Sequence, residues 1–167
     1  MEETNIRWMI RRDMPSVIAI ENRCFPDPWQ EEDFLNLLRL RNVIGMVCEQ
    51  ADKIVGFIIY ELNDNAMSIV TLAIDPDFQR KKIGTFIINK IKQKLSMQRR
   101  TLINCLVRES DLSSQLFFSK NGFKCIEILK KPFEEGKASE EDGYHMQYGI
   151  SKEELNVKNR IKDVFSE

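Results

Sequence analysis

The apolar residues of this chain follow two patterns. One is helical spacing, clearest at Ile83, Ile87, Ile88, Ile91 and Leu95, which recur every three or four positions. The other is a short, nearly continuous apolar run between turn residues, which is typical of buried strands. The patterns predict helices that begin at Asp13, span 31–40 and 83–96, and run from Leu112 to a stop at Asn121-Gly122, with strands at 6–10, 43–48, 54–62, 67–74, 102–107, 123–129 and 144–150.

The order of these elements, β-α-α-β-β-β-α-β-α-β-β-α, predicts a mixed α/β sheet in a single domain. Asn63-Asp64-Asn65 has the composition of a tight turn, so the strands on either side of it should form a hairpin. Strand 67–74, helix 83–96 and strand 102–107 form a crossover unit. The last predicted helix, in 151–167, has Val157, Ile161 and Val164 on one side. We expect 1–150 to be the main domain and 151–167 to belong to it.

Composition excludes several classes of function but says little about the fold. The 167 residues carry a formal net charge of −1, so no overall attraction to nucleic acid or membrane is expected. The four cysteines are far apart and His145 is the single histidine, which argues against a zinc site; no metal is expected. Cys105 and Cys125 lie in or beside apolar runs and are expected to be buried free thiols of a cytoplasmic protein. The acidic start M-E-E-T-N predicts no signal peptide.

Positive charge is concentrated in the stretch I-D-P-D-F-Q-R-K-K-I-G-T-F. Arg80, Lys81 and Lys82 precede a predicted helix, where each cation opposes the helix macrodipole by about 0.3–1 kcal/mol when exposed. Together with the free N–H groups of a helix N-terminus, they would suit a bound phosphate or diphosphate. The alternative is a solvated basic patch with no ligand.

Several motifs, in order, resemble the GNAT superfamily of acyl-CoA-dependent N-acetyltransferases. They are T-L-A-I-D-P-D-F, then Q-R-K-K-I-G-T, then V-R-E-S-D-L-S-S-Q-L-F-F-S-K-N-G-F. Within the superfamily, E-N-R-C-F-P-D-P-W and D-P-D-F-Q-R are most similar to the bacterial branch that acetylates the N-terminal alanine of ribosomal protein S18. The similarity spans residues 5 to 150. It implies one GNAT-type domain, with a mixed, mostly antiparallel sheet of about seven strands flanked by helices.

The resemblance also implies which residues bind acetyl-CoA. The family loop that holds the coenzyme diphosphate corresponds to 79–84, where Lys82 replaces a glycine, and we expect a slightly displaced loop with a direct contact between Lys82 and a phosphate. The family strand that contacts the pantetheine arm corresponds to 72–74. The full implied set is Leu72, Ala73, Ile74, Gln79, Arg80, Lys81, Lys82, Ile83, Gly84, Thr85, Asp111 and Phe118.

The catalytic groups of the ribosomal branch are missing. Its glutamate base corresponds to Leu106 and its aromatic hydroxyl acid to Phe118, and neither residue can transfer a proton. Asp27 and Tyr144 match catalytic positions of related eukaryotic enzymes and are the replacement candidates. Alternatively, Asp27 caps the following helix and Tyr144 packs in the sheet.

The remaining residues near the reaction are assigned by position. His145 would point to the face opposite Tyr144 and is assigned a structural role. Glu61 and Glu109 are weaker catalytic candidates. Phe25 and Trp29 are candidates for lining the acceptor groove, with core packing as the alternative for Phe25.

These residues favour acetyl transfer from acetyl-CoA to an amine, and most of all to the N-terminal α-amino group of a protein, such as a ribosomal protein. An α-amino group of pKa about 7.8 is roughly a quarter neutral near pH 7.4, whereas a lysine is neutral only about one time in a thousand. A weak catalytic apparatus therefore suits an N-terminus. The alternatives are a small-molecule amine, a lysine side chain, or a catalytically silent module that only binds acyl-CoA.

Overall fold

The structure, a computed structural model, describes residues 3–133 and 140–150. In these residues seven strands form one sheet with the order β1-β2-β3-β4-β5-β7-β6. The strands are β1 (Thr4–Trp8), β2 (Val43–Gln50), β3 (Lys53–Leu62), β4 (Ala66–Ile74), β5 (Leu102–Arg108), β6 (Lys124–Leu129) and β7 (Gly143–Gly149). Every neighbouring pair is antiparallel except β4 and β5, which are parallel.

Four helices in the described residues flank this sheet: α1 (Met14–Cys24), α2 (Glu31–Leu38), α3 (Ile83–Lys92) and α4 (Leu112–Lys120). Local sequence sets their ends. Pro15 suits the first turn of α1. Asp111 caps α4, because its carboxylate accepts a hydrogen bond from the Ser114 N–H at 3.1 Å. Beyond α4, Gly122 has a φ of 86°, a left-handed conformation that glycine adopts without strain.

Helices cover both faces of the sheet, so the core has two layers. Ile58 and Tyr60 of β3 pack with α3 in one layer, and Phe57 and Ile59 pack with α1 and α2 in the other. Because side chains alternate along a strand, β3 needs an unbroken apolar run to fill both layers. That requirement explains the run V-G-F-I-I-Y at 55–60.

The predicted fold class is confirmed, and several local predictions need correction. Strand β1 ends at Trp8 rather than at residue 10, and helix α3 ends at Lys92 rather than at 96. The run 102–107 is not covered on both faces, since Leu106 is 39% exposed. Of the two cysteines expected to be buried, Cys125 is exposed. Cys105 is partly buried, and burial raises the pKa of its thiol to about 12.

Two predictions concern residues that the structure does not describe, or describes only in part. The last helix, in 151–167, lies outside the described residues, as does most of the charged segment 134–142. None of the described helices is long and apolar enough to cross a membrane.

Candidate active site

A cleft opens in the middle of the sheet where β4 and β5 diverge. The parallel ladder pairs Ala66 to Ile69 with Leu102 to Cys105 and then ends, although both strands continue. A bulge at Val70 accompanies the divergence, because Tyr60 of β3 pairs with Ile69 and Ile59 pairs with Thr71. Beyond the bulge, residues 72–74 of β4 pair with β3 alone within the described chain. An extended ligand could therefore hydrogen-bond to this strand edge.

A cationic loop follows β4 and leads into α3. Arg80 and Lys82 both adopt left-handed backbone conformations, with φ values of 62° and 65°. Lys82 is the N-cap of α3, so the free N–H groups of the helix's first turn come directly after it. Successive amides in such a turn form a concave anion-binding nest, to which the helix dipole adds positive potential. Lys82 thus has a backbone conformation that glycine adopts without strain.

Other predicted coenzyme residues brace this loop from within. The Gln79 side chain turns back and donates a hydrogen bond to the Ile74 carbonyl at 3.0 Å. The Lys81 ammonium lies 5.2 Å from the centre of the Phe78 ring, a cation–π contact. Thr85 receives a hydrogen bond from the Asn121 amide at 3.4 Å, which ties α3 to the end of α4. Ile83 is buried in the core beneath the loop.

Gly84 allows α3 to pack closely against α4. A Cβ atom at this position would lie 2.9 Å from Cε2 of Phe117, closer than a side-chain contact allows. The absence of a side chain at Gly84 therefore brings the start of α3 up against the Phe117 ring. This contact fixes the position of the helix terminus that carries the nest.

An ion-pair network joins α1 to the loop after β4. Arg23 contacts Asp75 at 2.7 Å and Asp77 at 3.2 Å. Asp75 is buried and its carboxylate also accepts a hydrogen bond from the Asp77 N–H. Next to Arg23, the Cys24 thiol donates to the Ile74 carbonyl at 3.2 Å. The hydrogen bond from Arg23 lowers the pKa of Asp77.

The segment between α1 and α2, which holds the predicted acceptor residues, packs on the core layer opposite α3. The Trp29 ring packs edge-on against Phe34 at 5.4 Å, and Phe25 packs partly buried against the same core layer. The Trp29 N–H donates to Oε1 of Glu21 at 3.2 Å, whereas Oε2 of Glu21 is buried with no hydrogen-bond partner in the described part of the chain. Burial raises the pKa of Glu21, and the hydrogen bond from Trp29 offsets part of that rise.

Asp27 does not occupy the cap position of α2. The N-cap is Gln30, whose N–H donates to the Asp33 carboxylate at 2.9 Å. Asp27 is exposed in the segment before it. The capping role that the sequence left open for Asp27 is therefore filled by other residues, and its catalytic role stays a prediction.

Two other predicted coenzyme residues, Asp111 and Phe118, have structural roles in the protein itself. Asp111 caps α4, as described above. Phe118 is 4% exposed and packs edge-on against Phe117 and Phe123, with ring centres 5.2 and 5.0 Å away. A coenzyme contact by the Phe118 ring stays a prediction that these core contacts do not favour.

Tyr144 and Leu106 lie on opposite faces of the sheet. Tyr144 packs against the core layer that contains α3, and with Ile128 and Met146 it lines an apolar groove of about 480 Å³ beside α4. In β5, Ile103 and Val107 are buried in that same layer, so Leu106 between them points to the other side. The packing role that the sequence left open for Tyr144 matches these contacts.

The arrangement combines a candidate anion-binding nest with an open strand edge that leads into it. These parts suit a long ligand with a diphosphate and an amide-containing arm. Within residues 3–133 and 140–150 no group of three potential ligands is placed to hold a metal ion. Sequence reasoning missed the Arg23 network and the buried Glu21, and no spacing rule could have linked Arg23 to Asp75.

Comparison with known proteins agrees with this geometry. The sequence profile of the Acetyltransferase (GNAT) family matches residues 14–123. The chain belongs to this family and is an acyltransferase that uses acetyl-CoA as its co-substrate. The family, the enzyme class and the coenzyme expected from the sequence are thereby confirmed.

Among individual proteins, the chain is similar to the ribosomal protein bS18-alanine N-acetyltransferase of Escherichia coli. The two are 25% identical over 141 residues, which covers 83% of this chain and 93% of that protein. The crystal structure of the Escherichia coli enzyme matches with a TM-score of 0.78 over 89% of this chain and 95% of that one, at 22% identity. Arabidopsis thaliana NAA60 in complex with acetyl-CoA has a TM-score of 0.75 over 89% of this chain and 100% of that one, at 14% identity.

Proposed function

We propose that this protein transfers the acetyl group of acetyl-CoA to the N-terminal α-amino group of a protein, with a ribosomal protein as the favoured acceptor. The observation that carries the proposal is the position of the Arg80–Lys82 nest. The nest follows directly on the strand edge at residues 72–74, so one coenzyme can engage both. Its diphosphate would lie at the α3 terminus, and its pantetheine arm would run along β4 towards the bulge.

The acceptor side supports a polypeptide substrate. Trp29 and Phe25 form one wall, and Leu106 is an exposed apolar position on the same side of the sheet. A groove with apolar walls between loops suits the first residues of an unfolded N-terminus, whose small side chains need little space. The Escherichia coli relative described above is named as an alanine N-acetyltransferase of ribosomal protein bS18, which supports a protein as the acceptor.

The chemistry also favours an α-amino group. The attacking nitrogen needs a free lone pair, so an amine that is already partly neutral near pH 7 suits this site best. An N-terminal amine meets this requirement, and a lysine meets it about 300-fold less well. The thiolate of coenzyme A is a good leaving group that departs without obligatory protonation. Acetylation of a ribosomal protein would place the enzyme in the cytoplasm.

The test incubates the protein and acetyl-CoA with each of three acceptors and compares the rates of acetylation. One peptide has a free N-terminal alanine and no lysine, a second has the same sequence with a blocked N-terminus and one lysine, and the third acceptor is a small polyamine. Thiol release gives the rate, and product mass identifies the acetylated amine. We expect product from the first peptide alone. Acetylation of the blocked peptide or the polyamine at equal rates would contradict the proposal, as would coenzyme binding without product.

A further inference from the structure

His145 lies directly opposite Leu106 across the β5–β7 ladder. The two residues are antiparallel partners, so their side chains are on the same face with Cβ atoms about 4.5–5.5 Å apart. That face is the acceptor side, because the neighbours Val107 and Met146 are buried in the core layer on the opposite side. The sequence correctly separates His145 from Tyr144, and the register shows that His145 faces the acceptor side.

This pair lies where the cleft begins. Cys105 is the last β5 residue in the ladder with β4, and Leu106 is the next one. Leu106 is 39% exposed and His145 is partly buried, so the imidazole is shielded yet near the surface. By the resemblance described in the sequence analysis, Leu106 also corresponds to the glutamate base of the ribosomal branch. The imidazole therefore neighbours the place where a proton must be removed from the amine.

Asn104 holds the imidazole in one tautomer. Its amide oxygen accepts a hydrogen bond from Gln147 Nε2 at 2.9 Å and lies 2.8 Å from Nε2 of His145. Because a carboxamide oxygen only accepts, Nε2 of His145 carries the proton and Nδ1 keeps its lone pair. A proton acceptor oriented by a second polar group is the arrangement that general-base histidines require.

We propose that His145 is the general base of the reaction and replaces the glutamate that is lost at position 106. This proposal rests on the proposed function. The amine nitrogen attacks the thioester carbonyl carbon and forms the C–N bond, and the amine proton passes to Nδ1 of His145, directly or through one water. The C–S bond then breaks and coenzyme A leaves as the thiolate. The imidazolium finally releases its proton to solvent.

The experiment compares wild type with His145→Gln, in which the new side chain can still donate to Asn104 but cannot act as a base. We expect kcat for the alanine peptide to fall about 10²-fold or more, with acetyl-CoA affinity unchanged. Glu127→Gln is the matched control, because Glu127 is the β6 partner of His145 on the same face. This control should keep kcat within about twofold of wild type. His145→Asn serves as a second variant, and thermal melting checks that each protein is folded.

A rescue variant makes the test specific to proton transfer. Leu106→Glu in the His145→Gln background places a carboxylate on the partner strand. We expect kcat of this double variant to be at least about tenfold higher than kcat of His145→Gln. A folded His145→Gln or His145→Asn protein with more than half of the wild-type kcat would overturn the role of His145 as the base. The proposed function would be unaffected by that result. If wild type acetylates no amine, the proposed function fails and the role of His145 fails with it.

Discussion

Arg23 in the last turn of α1 and Asp75 after the end of β4 form an ion pair with an N–O distance of 2.7 Å. The two residues adjoin the two parts of the proposed active site. Arg23 leads directly into the aromatic segment at 25–29, and Asp75 begins the loop that carries Arg80 and Lys82. Their contact therefore connects the acceptor wall to the coenzyme nest.

Breaking this connection should weaken coenzyme binding from a distance. In Arg23→Met the buried Asp75 carboxylate loses its cation, so the loop after β4 should shift and acetyl-CoA affinity should fall severalfold. Arg23→Lys should have an intermediate effect, because an ammonium cannot bridge both Asp75 and Asp77 as a guanidinium does. Titration calorimetry measures both affinities. Equal affinity for wild type and Arg23→Met would show that the network does not position the nest.

Lys82 should contribute charge to coenzyme binding and strain to the fold. A non-glycine residue in a left-handed conformation costs about 1 kcal/mol, so Lys82→Gly should leave the free energy of unfolding unchanged or raise it by up to about 1 kcal/mol. The same variant should bind acetyl-CoA severalfold more weakly, with less dependence on salt. Lys82→Asn removes the charge with a residue that tolerates this conformation. Tighter binding by the glycine variant would contradict a contact between Lys82 and a phosphate.

Gly84→Ala should destabilise the α3–α4 contact. The added methyl group would lie 2.9 Å from the Phe117 ring, and such overpacking typically costs about 1–3 kcal/mol. Urea denaturation measures this loss. In the double variant Gly84→Ala/Phe117→Leu the smaller side chain removes the clash, so the two effects should not be additive. Additive losses would place the cause elsewhere.

Glu21 should make stability depend on pH in the direction opposite to an ordinary ion-paired carboxylate. Burial raises its pKa in the folded state, so the native protein binds more protons than the unfolded chain above about pH 4.3. Its contribution therefore lowers the free energy of unfolding as pH rises from about 4.3 through the folded-state pKa. Glu21→Gln keeps an acceptor for the Trp29 N–H and should be more stable than wild type at neutral pH. Glu32→Gln, at an exposed position of α2, is the control. A parallel pH dependence in wild type and Glu21→Gln would contradict this account.

The fold could be predicted because its signals are local. The spacing of Ile83, Ile87 and Ile91 defines one face of α3, and the run at 55–60 fills two core layers at once. The predicted coenzyme loop at 79–84 is local in the same way, since its two left-handed residues and the α3 terminus are contiguous in the chain. Coenzyme binding by this loop stays a prediction.

The acceptor side could not be predicted in the same way, because it depends on register and long-range contact. Arg23 and Asp75 are 52 positions apart, and His145 and Asn104 are 41 apart. Alternation assigns His145 a face relative to Tyr144, but only the pairing of β5 with β7 shows that Leu106 is its neighbour. A slip of one residue would have placed Tyr144 there instead.

The short parallel ladder between β4 and β5 also joins two half-sheets. One half, β1 to β4, carries the coenzyme strand edge, and the other, β5 to β7, carries Asn104 and His145. Four residue pairs join them, and in the second pair the side chains of Met67 and Ile103 are both buried. In the mechanism proposed above, the packing of these two side chains therefore helps to set the distance between the strand edge at 72–74 and His145. A change in volume at Met67 or Ile103 would alter catalytic alignment without touching either substrate.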